Sequence, residues 1–322
     1  MSLATANSAL ICPRCGGPLP KQALWRIVNC PFCNSTVTRN TRAVQAQTFH
    51  EIHRSALQNI PRGNDSVQVG GVVYRRLFQI GAGDEARVFL GERVSTVTER
   101  VVLKIGAAPE RTDLFDREIA ALTALQASRS ADAAYFTTRL PQVIQCGPTT
   151  GTPGYNYPVL ILRHACGFWG SLDQARSFYP AGVDARHIVW IWRRTLEVLG
   201  FVHRQGWSHG GLRPEHLLVH PRDHGILLCG WSRARSDSAV SLAARITVDL
   251  RQSAWAMREL MAPLDQEPTG FGAAPAPLVD LLQRVSEDAR WCRDQSAGTI
   301  EAALRQAALE SYGAPQFVEF QV

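Results

Sequence analysis

Four cysteines near the start of the chain are set as two matched pairs, Cys12 with Cys15 and Cys30 with Cys33, in the spacing C-x2-C-x14-C-x2-C. Two thiolates separated by two residues face one ion from a tight knuckle, and two such knuckles complete a tetrahedron around Zn²⁺. Gly16 and Gly17 follow the first pair and permit its turn. With all four positions supplied by protein, no open position is left for a substrate water, so this zinc is expected to be structural. The competing reading is a pair of redox C-x-x-C motifs, but no βαβ pattern of the thioredoxin kind surrounds either pair.

A second set of chemistry-bearing residues runs in order along the rest of the chain. Gly81 and Gly83 open a glycine-rich turn followed by Asp84, Glu85, Ala86, Arg87 and Val88; Lys104 closes Val101-Val102-Leu103-Lys104; Glu118 lies in a helical pattern. Further on come His209-Gly210-Gly211-Leu212-Arg213-Pro214-Glu215-His216, then Cys229-Gly230-Trp231-Ser232, then Asp249 ten residues before Glu259. From about Val67 to Tyr312 this order resembles the protein kinase superfamily. Its glycine-rich loop, its V-A-I-K lysine and the helix glutamate that pairs with it, its H-R-D catalytic loop, its D-F-G turn and its helix-F aspartate all have counterparts.

The departures fall where the family's chemistry is done. The resemblance implies that Gly211 stands at the catalytic-loop aspartate, which accepts the substrate hydroxyl proton, and glycine offers no base. His216 and Gly230 stand at the asparagine and aspartate that hold Mg²⁺. An imidazole is a poor ligand for so hard a cation. Asp84 and Glu85 at the loop tip are expected to repel a triphosphate, so neither ATP nor Mg²⁺ is an expected cofactor. Glu215 or Asp223 would be the substitutes for a missing acid, though neither occupies a motif position. Only sixteen residues separate Ser232 from Asp249, with no A-P-E sequence, and Gly210 stands where the family has the arginine that clasps a phosphorylated activation loop. What is kept reads as architecture: His209 and Asp249 tying the loop to the core, Leu122 and Trp231 linking the lobes. Lys104 and Glu118 are vestigial cofactor-binding candidates, read either as a structural ion pair or as a live phosphate grip. His216, His220 and His224 read as solvated turn histidines, not as a metal set.

These residues need elements to position them. Alternating apolar residues over Val67–Phe78, Ala86–Glu92 and Arg100–Ile105 predict strands of a twisted sheet, with another at Pro158–Leu162. Helical patterns cover Thr41–Leu57, Leu114–Ala127, Ala185–Arg204, Ala243–Met261 and Pro277–Ser286. The expected fold is α+β and bilobal, a protein-kinase-like arrangement with a β-rich N-lobe and a helical C-lobe, preceded by a small zinc ribbon. The organisation follows: ribbon 1–40, helical and turn linker 41–66, kinase-like domain 67–312 and C-terminal tail 313–322.

A chain of 322 residues with 45% hydrophobic content has room for one large domain and an appendage. It holds 34 Lys and Arg against 28 Asp and Glu, a formal charge of +6, and the excess is local. Arg14, Lys21, Arg26, Arg39 and Arg42 are the charged residues of positions 1–50, leaving 29 basic against 28 acidic beyond. Four thiolates around Zn²⁺ would lower the ribbon to about +3. No run is long and apolar enough for a membrane helix, no signal peptide is visible, and Cys146, Cys166, Cys229 and Cys292 read as buried thiols, so a cytoplasmic location is expected. The functional expectation is a non-enzymatic pseudokinase scaffold with protein partners bound through the lobes and the ribbon. The alternatives are an atypical nucleotide-using enzyme and a nucleic-acid adaptor led by the basic ribbon.

Overall fold

The computed structural model describes residues 27–29, 36–38, 65–95, 99–150, 156–168, 170–220, 224–264, 271–316, 318 and 320. The chain divides into two compact units, Met1–Arg62 and Gly63–Val322. In the first, β1 (Ile27–Asn29) pairs antiparallel with β2 (Thr36–Thr38). Cys12, Cys15, Cys30 and Cys33 lie outside the described residues, as does the helix expected over Thr41–Leu57.

The second unit begins with six strands: β3 (Ser66–Val69), β4 (Val72–Ala82), β5 (Ala86–Arg93), β6 (Glu99–Gly106), β7 (Val143–Thr150) and β8 (Pro158–Arg163). The single strand expected over Val67–Phe78 is two, because Gly70 and Gly71 both take positive φ (51° and 80°) and make a two-residue hairpin turn. The sequence predicts a twisted sheet, and the structure adds its closure. It closes in the order β3-β4-β5-β6-β8-β7, with β7 returning to β3 through Val69 opposite Thr149 and Gln68 opposite Thr150. Closure is favoured because the inward residues Val67, Val69, Tyr74, Val101, Leu103, Val159 and Ile161 bury one another at the centre.

Helix α1 (Asp116–Gln126) crosses between β6 and β7, burying Glu118, Ala121, Leu122 and Leu125 on one face. After the short α2 (Ala133–Phe136) and α3 (Leu172–Arg176), the helical half is organised by two long helices, α4 (Ala185–Arg204) and α5 (Ala239–Met261). Asp184 caps α4 by accepting from the Arg186 N–H at 2.8 Å. Buried Trp192 on α4 donates its Nε1–H to Ser253 Oγ on α5 at 3.0 Å, registering the two. Helices α6 (Ala276–Glu287), α7 (Ala289–Arg293) and α8 (Ala297–Tyr312) complete the bundle, with a reciprocal Ser296/Thr299 cap starting α8. A small sheet, β9 (Gly170–Ser171), β10 (Leu217–His220) and β11 (Gly225–Leu228), lies on the helical half in the order β11-β10-β9. Among the described residues no helix is long and apolar enough to cross a membrane.

Candidate functional site

The cleft-facing residues are delivered by β6, α1 and the connections around β10 and β11. Lys104 on β6 forms an ion pair with Glu118 on α1. Glu118 is 1% exposed and Lys104 15%, so this is a largely buried pair. The second carboxylate oxygen of Glu118 is buried with no hydrogen-bond partner among the described residues. Helix α1 packs on the single 3-10 turn Trp231–Arg233, and Leu122 and Trp231 are both fully buried in one core.

Behind the cleft a hydrogen-bonded hub fixes the loop that starts at His209. The Asp249 carboxylate, fully buried on α5, accepts the backbone N–H of His209 at 2.8 Å and of Gly210 at 2.7 Å, and meets His203 Nε2 at 3.0 Å. The His209 ring spans the hub: its Nδ1 accepts the Gly211 N–H at 3.3 Å and its Nε2–H donates to the Cys229 carbonyl at 2.8 Å. That pattern requires the neutral ring, and burial pulls its pKa down to about 4. Trp231 packs edge-on at 4.8 Å and donates its own Nε1–H to the Leu228 carbonyl. The two chain segments are further joined by the Ser208–Arg235 bridge.

In front of the hub, Gly211, His216 and Gly230 meet one another. Gly211 presents only its carbonyl, which accepts the His216 Nδ1–H at 2.6 Å. Gly230 has φ +80°, and a Cβ there would stand 2.4 Å from His216 Cδ2 and 2.5 Å from its Cγ. The imidazole therefore occupies the space in which any side chain at position 230 would begin. Burial lowers the pKa of His216, which keeps the ring neutral around pH 7. Next to it, burial pushes the Cys229 thiol up to about 12, with the Glu118 charge adding to the effect. Among the described residues, no three of His, Cys, Asp and Glu are grouped to hold a metal ion.

Several expectations need correction. Glu85, expected to repel a triphosphate, has its charge paired with Arg111 at 2.9 Å, and its carbonyl accepts the Ala107 N–H at 2.8 Å just past the end of β6. None of the three histidines read as solvated is fully so; each is half-buried. His216 is the interlock just described, His220 packs edge-on to Phe168 at 5.5 Å, and His224 stacks on Trp190 at 4.0 Å. Of the thiols expected to be buried, Cys146 and Cys166 are exposed and Cys229 is intermediate; Cys292 is buried. Helix α5 begins at Ala239, four residues before the expected start, so five residues join it to the turn ending at Arg233. Sequence reasoning passed over His203, Gln252, whose side chain accepts the Leu212 N–H at 2.9 Å, and Arg233, which lies against Gly210 and Gly211. His203 carried a signal, since it ends α4 six residues before His209. The other two carried none.

A β-rich lobe with a lysine–glutamate pair, a helical lobe and a buried loop-to-helix hub define the fold of a protein kinase domain. The crystal structure of the Mycobacterium tuberculosis PknI kinase domain is similar to this chain, with a TM-score of 0.53 and 20% identity over 75% of this chain and 98% of that one. The likeness is one of fold. No family model and no curated protein matches the sequence.

Proposed function

We propose that the kinase-like unit is a pseudokinase, a protein-binding scaffold or regulator without phosphoryl transfer. The observation that carries this reading is the interlock of Gly211, His216 and Gly230. A metal ligand at position 230 has no room beside the imidazole, and no base projects from position 211. Phosphoryl transfer depends on positioning and on metal neutralisation of the phosphates, so the residues present do not fit Mg²⁺–ATP, and no transfer step follows from them. The retained hub and the Lys104–Glu118 pair have a sufficient role in holding the two lobes in register.

In the same reading Cys12, Cys15, Cys30 and Cys33 hold one structural Zn²⁺, supported by their spacing, and the basic ribbon adds a second contact surface. Titration calorimetry with ATP, alone and with Mg²⁺ or Mn²⁺, together with radiolabelled ATP turnover, tests the cleft. The expected result is no turnover. Turnover that disappears in Lys104→Ala would sink the proposal, because a contaminating kinase would survive that substitution. For the ribbon, elemental analysis is expected to give one zinc per chain. Reversal of Arg14, Arg26 and Arg39 together is expected to weaken capture of a native protein partner, with the loss shrinking at high salt.

A second reading has one observation in its favour: the buried Lys104–Glu118 pair is the arrangement that in kinases grips phosphates. An atypical nucleotide-binding enzyme would show calorimetric ATP binding that Lys104→Met removes. An RNA or DNA target of the ribbon would instead appear as nuclease-sensitive partner capture.

A further inference from the structure

The last described residue of the chain is anchored. After α8, Gly313 takes φ 73° and the chain turns back; Ala314, Pro315 and Gln316 are exposed, yet Phe320 is only 3% exposed. Its ring stacks on Tyr179 with centroids 5.4 Å apart and planes 8° apart, and meets His187 at 5.0 Å and Trp190 at 5.6 Å edge to face. The three walls have contacts of their own. His187 and Trp190 lie one turn apart on α4, Trp190 donates its Nε1–H to His187 Nδ1 at 3.4 Å, Trp190 is backed by the stacked His224, and Tyr179 meets His187 at 6.2 Å. The pocket is thus braced independently of the residue that fills it. Past Gly313, no backbone hydrogen bond joins the described residues of this segment to the rest of the unit. A ring held by stacking and edge contacts in a braced aromatic pocket is open to exchange for the same side chain on another peptide.

We propose that Tyr179, His187 and Trp190 form a docking socket for an aromatic side chain of an extended peptide, closed in the resting chain by Phe320 and opened to a partner segment that presents such a residue. The inference stands apart from the cleft and from the reading of its chemistry. The probe is a fluorescein-labelled synthetic peptide with the sequence of residues 314–322, and a twin with alanine in place of its residue-320 phenylalanine. Polarisation titrations into the full-length chain are expected to show at least tenfold tighter binding by Phe320→Ala than by wild type. The alanine twin and the Phe320→Ala/Trp190→Ala double variant are expected to lose that binding. Equal affinity of wild type and Phe320→Ala, or equal binding of the two peptides, overturns the proposal. Should Phe320→Ala fail to fold, wild-type protein decides the matter. With 4-fluorophenylalanine at position 320 of the otherwise unchanged protein, excess parent peptide is expected to move its fluorine resonance toward that of the unfolded chain, while the alanine twin leaves it unchanged. No movement with the parent peptide overturns the proposal as well.

Discussion

The hub around Asp249 and the cleft positions in front of it lie within a few residues of one another, and they have been treated in opposite ways. Asp249 and His209 keep every bond that holds the loop in place. Gly211, His216 and Gly230 close on each other, and in the proposed reading they stand where a kinase would place its base and metal ligands. Supporting a backbone and performing a reaction are separate demands. A chain can lose the second and still need the first, because unpaired N–H groups at a fully buried site are costly whether or not any reaction follows.

The sharpest way to break this contrast is to attack the hub. Asp249→Ala is expected to destabilise the unit by about 3 to 5 kcal/mol, since it strands two buried N–H groups and removes the partner of His203. Denaturant unfolding measures it, and a loss under about 1 kcal/mol would mean the hub is dispensable. Acid should reach the same site. His209 is neutral in the fold with its pKa near 4, against about 6.5 when unfolded. A depressed base contributes stability above about pH 6.5 that is lost as the pH falls toward 4, worth about 3 kcal/mol from His209 alone. Burial shifts His164, His187 and His216 in the same direction. Thermal melts from pH 7.5 to 4 are expected to fall, with a shallower slope in His209→Gln.

Smaller effects test the cleft side. Lys104→Met is expected to cost about 3 kcal/mol of stability, because Glu118 is left buried without its cation, while capture of a protein partner persists. Gly230→Asp is expected to cost about 1 to 3 kcal/mol through a non-glycine residue at positive φ set against the His216 ring. Adding His216→Asn is expected to return about 1 kcal/mol, a coupling visible in a double-mutant cycle. Additive losses would show that the ring does not block position 230. Gly211→Asp is the mildest, about 1 kcal/mol, since the atoms nearest its Cβ, at 3.3 Å and beyond, belong to the flexible Arg233 side chain.

The sequence carried the order of motifs, and through them both lobes, α4 from end to end, and the pairing of Lys104 with Glu118. It carried them because these depend on local periodicity and on residue types that few other roles demand. It did not carry the interlock. Nothing in the types or spacing of His216 and Gly230 announces that the ring of one rests on the Cα of the other; that depends on how the 3-10 turns at Pro214–His216 and Trp231–Arg233 approach in space. Barrel closure was hidden for the same reason, since it depends on β7 reaching β3 across more than seventy residues. The buried Phe320 was hidden because the alternation of Val318, Phe320 and Val322 with Glu319 and Gln321 is too short to tell a docked segment from a loose tail.

Closure of that barrel also limits how a partner can attach. An open sheet offers an unpaired row of N–H and C=O groups, to which a foreign strand adds by main-chain hydrogen bonds, whether in peptide recognition or in aggregation. The six strands here complete a ring, so this route exists only where the ring can part. Among the described residues the narrowest seam is β3 with β7, joined by two residue pairs, whereas β5 and β6 are joined by eight. With that seam shut, anything that grips the β-rich lobe must do so through side chains and loops.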